Sequence, residues 1–349
     1  MRGWLNSIIF VLSACDDNTE NKDNEISQTL MDWQPISELQ LLNGYTESLS
    51  LSTSEDRQTL RVTSNSDTAS CFQVNSAISQ YNQELSYSFN TAQCVDCLWR
   101  TSVIRNSGLL VLEGNAEQLA AISFASVDCT TYLSNVSSDE LVVEKLETEL
   151  PALAGLKLRF NLSDSVVNDL DENDWATLIS NELNLSILIT SMNTISDVDV
   201  VLENSLSNDE LESIIATLPD KDEGVIDIIY GPCLEIDTYF SIERLAGFTP
   251  SIPGGAGDMD AVFVARRTCG SRNTETDEPA TVARLIAHEL GHYLGLAHPE
   301  EANGTLDDLD STTTSNLMHR NPLLVSSTGL TDEQVERIMQ HPFFQDLSE

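Results

Sequence analysis

His288, Glu289, His292, Gly295 and His298 stand in the order H-E-x-x-H-x-x-G-x-x-H, and each residue type at this spacing has a chemical use. On an α-helix, His288 and His292 lie on one face, so two imidazoles reach one metal ion. Glu289 then points beside the metal, where a carboxylate takes a proton from water activated there. Gly295 tolerates the positive φ that ends a helix and turns the chain back. That turn brings in His298 as a third nitrogen ligand. Three protein nitrogens leave a tetrahedral zinc ion one open position, the mark of a catalytic rather than a structural site. Three of the five histidines fall within these eleven residues. The competing reading is a buried helix whose histidines satisfy core hydrogen bonds; the five fixed letters together speak against it.

The motif resembles that of the metzincin clan of zinc endopeptidases. Metzincins carry a Met-containing turn beneath the metal, and Asn316-Leu317-Met318-His319 fits it, with Met318 as a support and not a ligand. Arg320 stands where some metzincins carry a Tyr. The resemblance spans roughly residues 151–349. It implies an α/β (α+β) metzincin-like catalytic domain, one catalytic Zn2+ and peptide or protein substrates, with Glu289 as general base and then proton donor to the leaving amine. It also implies an edge strand beside the cleft that pairs with extended substrate, expected within residues 245–265.

The elements that must position these residues follow from periodicity. The metal-binding helix starts near Glu278-Pro279, where Pro suits the first turn, and Val282, Ile286, Leu290 and Leu294 form its apolar stripe. Upstream, Leu156 to Leu162 alternates as a strand, and Asp171 to Leu185 reads as a helix with Trp175, Leu178 and Ile179 on one face. Val198 to Leu202 reads as the next strand. Ser207-x-x-Glu210 is a capping box opening a helix that carries Leu211, Ile214, Ile215 and Leu218. Val225 to Tyr230 and Asp260 to Ala265 read as buried strands, and Ser251 to Gly257 as a flexible surface turn. Thr331-x-x-Gln334 caps a last helix with Val335, Ile338 and Met339 inward. His319 and His341 lack ligand spacing and are read as core or surface histidines.

Residues 36–150 alternate short apolar and polar runs with Ser, Thr, Asn and Gly between them, the pattern of an all-β sandwich domain preceding the catalytic one. The boundary falls near Leu150-Pro151. Cys71, Cys94, Cys97 and Cys129 lie in this first domain. With no nearby His or second C-x-x-C they are read as disulfides, in one of three pairings. Cys233 and Cys269 are the disulfide candidates of the catalytic half. Residues 1–14 resemble a bacterial lipoprotein signal: Leu12-Ser13-Ala14-Cys15 follows a short apolar run, too short to span a bilayer. Cys15 is the candidate lipidation site, and removing it leaves an even six of seven cysteines, as an exported chain with disulfides requires. Residues 15–35 are polar and read as a disordered acidic tether. The expected location is therefore the cell envelope, with membrane contact through the lipid anchor only.

With 17 basic and 56 acidic residues the net charge is −39, which excludes nucleic acid as a partner. The acidic stretch Leu306 to Asp310 reads as solvated surface or as a Ca2+ clip, although no D-x-[DN]-x-[DN]-G loop is present. The rival functional class is an acidic surface adhesin with a vestigial zinc domain.

Overall fold

The computed structural model describes residues 31–52, 57–66, 69–81, 84, 99–100, 103–112, 119–129, 131, 133–166, 170–196, 199–202, 209–220, 222–231, 233–238, 241–265, 278–299, 316–324 and 329–347. Cys15, Cys94, Cys97, Ser207, Cys269 and the acidic stretch 306–310 lie outside them.

Nine strands come first: β1 (Gln34–Gln40), β2 (Leu49–Ser50), β3 (Arg57–Ser64), β4 (Cys71–Ser79), β5 (Trp99–Arg100), β6 (Ile104–Arg105), β7 (Ser107–Leu112), β8 (Leu119–Val127) and β9 (Glu140–Thr148). They form two antiparallel sheets, ordered β1-β9-β3-β7-β5 and β2-β8-β4-β6. Side chains alternate across a strand, so Leu60 and Val62, Phe72 and Val74, and Leu141 and Val143 enter one shared core. A disulfide joins Cys71 to Cys129 at the ends of β4 and β8, selecting one of the pairings left open above. Strand β1 begins at Gln34, inside the stretch read as tether, and Trp33 is already anchored: its indole donates to Glu223 at 2.8 Å, and the Arg61 guanidinium lies 4.4 Å over its ring.

The rest of the chain runs β10 (Ala154–Ser163), α1 (Glu172–Leu183), β11 (Ser186–Ile195), β12 (Asp199–Leu202), α2 (Asp209–Ala216), β13 (Val225–Gly231), β14 (Cys233–Thr238), β15 (Ser241–Arg244), β16 (Gly247–Phe248), β17 (Val262–Ala265), α3 (Pro279–Tyr293), α4 (Asp332–Ile338) and β18 (Gln345–Asp346). The main sheet is ordered β11-β10-β13-β17-β16, parallel except for β16, with β18 added antiparallel to β10. One face carries Leu158, Phe160, Ile226, Ile228, Val262 and Val264 against α1 and α3. On the other face Ile229, Phe263 and Ala265 pack with α2 and the small β12-β14-β15 sheet. That second face also buries charge. Arg159 makes a two-pronged bond to Asp227 (2.6 and 3.0 Å), with Asn161 donating to the same carboxylate at 2.8 Å.

Two expectations change. The strand after α1 is β11, which the sequence reading passed over, and the 198–202 strand belongs to the small sheet instead. Strand β11 is a sheet edge and leaves most of its side chains at least partly exposed, so it lacks the largely apolar, fully buried run that marks β13. The stretch 251–257 is no loose surface turn: the Gly254 N–H donates to Tyr293 O (2.8 Å), the Gly255 N–H donates to Asp260 (2.6 Å), and Pro253 and Gly254 are buried.

The N-terminal sheets join the C-terminal half through Arg57. Its buried guanidinium donates to the carbonyls of Met339 (3.1 Å), His341 (3.0 Å), Phe344 (3.3 Å) and Glu149 (2.9 Å). Burial lowers its pKa to about 10, which leaves it charged at neutral pH. Arg105 pairs with Glu212, and the Asn106 amide donates to Asp258 at 2.9 Å.

Candidate active site

Helix α3 begins with Pro279 as its first residue and is buried almost continuously from Val282 to Tyr293. It therefore packs on more than the one stripe that Val282, Ile286, Leu290 and Leu294 suggested. Its end is a Schellman turn: Gly295 takes φ +103°, its N–H donates to His292 O (2.9 Å), and the Leu296 N–H donates to Gly291 O (2.9 Å). This turn has two consequences for the metal ligands. It carries His298 back toward the helix, and it places the Leu296 carbonyl 2.8 Å from His292 Nδ1. His288 Nδ1 is held in the same way, 2.8 Å from Leu317 O. A ring whose Nδ1–H donates to a carbonyl presents Nε2 as its free lone pair.

His288, His292 and His298 converge, with one ligand nitrogen from each within 4.8 Å of the others. The Nε2 atoms of His292 and His298 lie 3.1 Å apart. Ligand nitrogens at zinc distances and tetrahedral angles stand about 3.3 Å apart, so the donor set fits a zinc ion. The protonation states fit as well. Burial chiefly pulls His288 down to about 4, against the hydrogen bond to Leu317, and neighbouring imidazoles add to the effect. Burial and the other two imidazoles hold His292 well below its ordinary value. Both rings are neutral at pH 7, as metal ligation requires.

Glu289 is buried beside the triad. Desolvation raises its pKa to about 8, opposed by the Thr249 hydroxyl, which lies 2.9 Å from Oε2 and 3.0 Å from the Glu289 carbonyl. Thr249 lies forty residues upstream, and no spacing pattern points to it. Gly247 has the same character: a Cβ there would fall 2.4 Å from Glu289 Oε1, so only glycine lets β16 pass this close to the carboxylate.

Met318 lies under the helix. A Cβ on Gly291 would meet its sulfur at 2.3 Å, so the glycine between the two helical histidines is the seat for Met318. The turn itself is tied down by Asn316, which accepts from the Met318 N–H (2.8 Å) and donates to Gln334 (2.9 Å). Gln334 is also the capping partner of Thr331 on α4. The last helix therefore holds the Met turn, a role its capping signature alone did not reveal. His319 is half-buried near His288, and His341 is fully buried behind α3. Neither belongs to the triad. Cys233 is disulfide-bonded, and Cys269, its expected partner, lies outside the described residues.

These groups open into a cleft of about 510 Å³ lined by the three histidines, Glu289, Thr249, β16 and the segment Arg320 to Leu323. Strand β16 ends the sheet order, so its outer edge pairs with no described strand.

No protein-family model and no curated protein matches the chain. Among solved structures it is similar to the archaemetzincin of Methanopyrus kandleri, with 13% identity and a TM-score of 0.27 over 55% of this chain and 91% of that one. It is similar too to a zinc-dependent peptidase from Methanocorpusculum labreanum, with 12% identity and a TM-score of 0.31 over 52% of this chain and 99% of that one. A family two carbohydrate esterase from Cellvibrio japonicus covers 75% of this chain and 95% of its own, at 7% identity and a TM-score of 0.19. Scores this low leave the functional reading to the side chains of the cleft.

Proposed function

We propose that this chain is a zinc-dependent endopeptidase of the metzincin type. The observation that carries the reading is the meeting of three imidazoles and one buried carboxyl group in a cleft walled by a strand edge that pairs with no described strand. When bound, zinc supplies Lewis acidity toward a carbonyl and toward water. His288 and His292 offer Nε2 because each Nδ1 is committed to a main-chain carbonyl. His298 completes the set from the turn.

Glu289 is the proton carrier. In its ionised form it accepts a proton from the attacking water and passes it to the leaving amine. Thr249 holds the carboxylate in place for both transfers. The edge of β16 that pairs with no described strand offers main-chain groups to an extended peptide, which aligns the scissile bond along the cleft.

Glu289→Gln tests the reading. The variant is expected to hold about one zinc per chain, since the three-nitrogen site is untouched, and to lose about 10²–10⁴ in peptidase rate. His292→Ala is expected to lose zinc and activity together. A Glu289→Gln protein that keeps more than about a tenth of the rate has lost less than about 1.4 kcal/mol of transition-state stabilisation, and the mechanism is then wrong.

A further inference from the structure

The cleft holds a cation that the chemistry above does not use. Arg320 follows the Met318 turn, is exposed, and lines the cleft together with His288, His298 and Glu289. The other arginines with described side chains are engaged. Arg57 binds carbonyls, Arg61 pairs with Glu144, Arg105 with Glu212, Arg159 with Asp227 and Arg244 with Glu235, Arg284 lies beside Glu182, and Arg337 is also bonded. Arg320 has neither a hydrogen bond nor an ion pair to a described residue. In a chain with 56 acidic residues against 17 basic ones, an exposed guanidinium with no carboxylate on it runs against the composition. Arg244 makes the contrast: it lines the same cleft, yet Glu235 holds it at 3.4 Å.

We propose that Arg320 receives a carboxylate of the substrate, so that the preferred peptides carry one close to the scissile bond. The proposal rests on the peptidase reading and narrows it to a substrate class. A guanidinium presents a planar fork that takes a carboxylate through two parallel bonds, and no described acid of the protein is bonded to this one. The net negative charge of the chain opposes acidic peptides, but at physiological salt that field is screened beyond about 8 Å, while a cation in the cleft acts on the peptide at close range. The carboxylate has two sources, an Asp or Glu side chain or the free C-terminus of a short peptide.

The test uses the full chain loaded with zinc and matched fluorogenic peptides. One set carries Glu or Gln at each position flanking the cleaved bond; the other carries a free or amidated C-terminus. Wild-type protein is expected to show a higher kcat/KM for Glu over Gln at one position, or for free over amidated ends, and the responding set names the source. Arg320→Ala is expected to reduce that ratio about two- to fivefold, the size of an exposed ion pair. Arg320→Lys should keep part of the ratio. Arg320→Glu should invert it in favour of Gln or of amidated ends, and added salt should shrink all these differences. Ratios that stay equal across the variants, with hydrolysis still chelator-sensitive, overturn the proposal and leave the peptidase reading standing. Absence of chelator-sensitive hydrolysis on every peptide removes the peptidase reading, and this proposal falls with it.

Discussion

His341 makes the fold acid-labile over a defined range. The side chain is 0% exposed and sits between the rings of Tyr293 and Phe343, 5.7 and 5.1 Å away. Its Nδ1 accepts from the Phe343 N–H at 3.2 Å, and its Nε2 lies 3.3 Å from the Gly254 carbonyl. The neutral ring with its proton on Nε2 satisfies both contacts. A second proton on Nδ1 would face an N–H donor, break that bond and bury a charge near Arg57. Burial accordingly lowers the pKa to about 4, with Arg57 adding to the effect and the Gly254 bond and Asp260 opposing it. In the unfolded chain the imidazole takes its proton near 6.5. Between these values the unfolded chain binds the proton and the folded chain does not. This contribution is therefore fully present above pH 6.5 and is lost as pH falls to about 4. At 1.36 kcal/mol per pH unit the loss is about 3 kcal/mol. The 56 carboxylates titrate as well, so the readout must be a difference. Urea unfolding of wild type and His341→Gln, run side by side from pH 7.5 to 4, cancels the common background. The stability gap between the two is expected to close by about 3 kcal/mol as pH falls. Parallel pH curves for the two proteins would refute the reasoning.

Two further substitutions read the supports of the site. Gly291→Ala gains about 1 kcal/mol of helix propensity, but its Cβ lands 2.3 Å from the Met318 sulfur, and overpacking costs about 1–3 kcal/mol. A lower melting temperature and weaker zinc retention against a chelator are expected, both relieved when Met318→Ala is added. Arg57→Leu leaves four carbonyls without their donor and is expected to cost about 2–4 kcal/mol in urea unfolding; a loss under about 0.5 kcal/mol would mean that water replaces the guanidinium there.

What the sequence made legible was local. The ligand triad is readable because His288, His292 and His298 sit within eleven residues, and helix period plus one glycine brings them to a common point. The same holds for the cap of α4 and for the buried run of β13, where a pattern of a few residues determines the outcome. Thr249, Gly247 and Gln334 were not legible, because their roles depend on contacts across 40, 42 and 18 positions of chain. No residue type among them is unusual for a loop, a strand or a helix. Strand β11 escaped for a different reason: an edge strand solvated along much of its length carries little of the apolar signal that marks its neighbours. Asp227 is the reverse case, a charge inside an apolar run whose meaning becomes clear only when Arg159 and Asn161 arrive from the next strand.

The same long-range contacts bear on what the N-terminal sheets do for the enzyme proposed here. A segment that blocks a cleft has to occupy it, yet the described residues lining this one all fall between Arg244 and Leu323. The N-terminal sheets attach elsewhere, and by buried groups. Arg57 enters among carbonyls at the end of α4 and the chain just beyond it, and the Gly254 and Tyr293 that border the cleft helix rest on His341, whose own carbonyl Arg57 holds. Load on this joint passes from β3 through His341 to the back of α3, the helix that carries two of the three ligands. Detaching the sheets would strip donors from buried carbonyls and expose the pairs Arg105–Glu212 and Trp33–Glu223. The contacts thus run from β3 through Arg57 and His341 to Gly254 and Tyr293 at the back of α3.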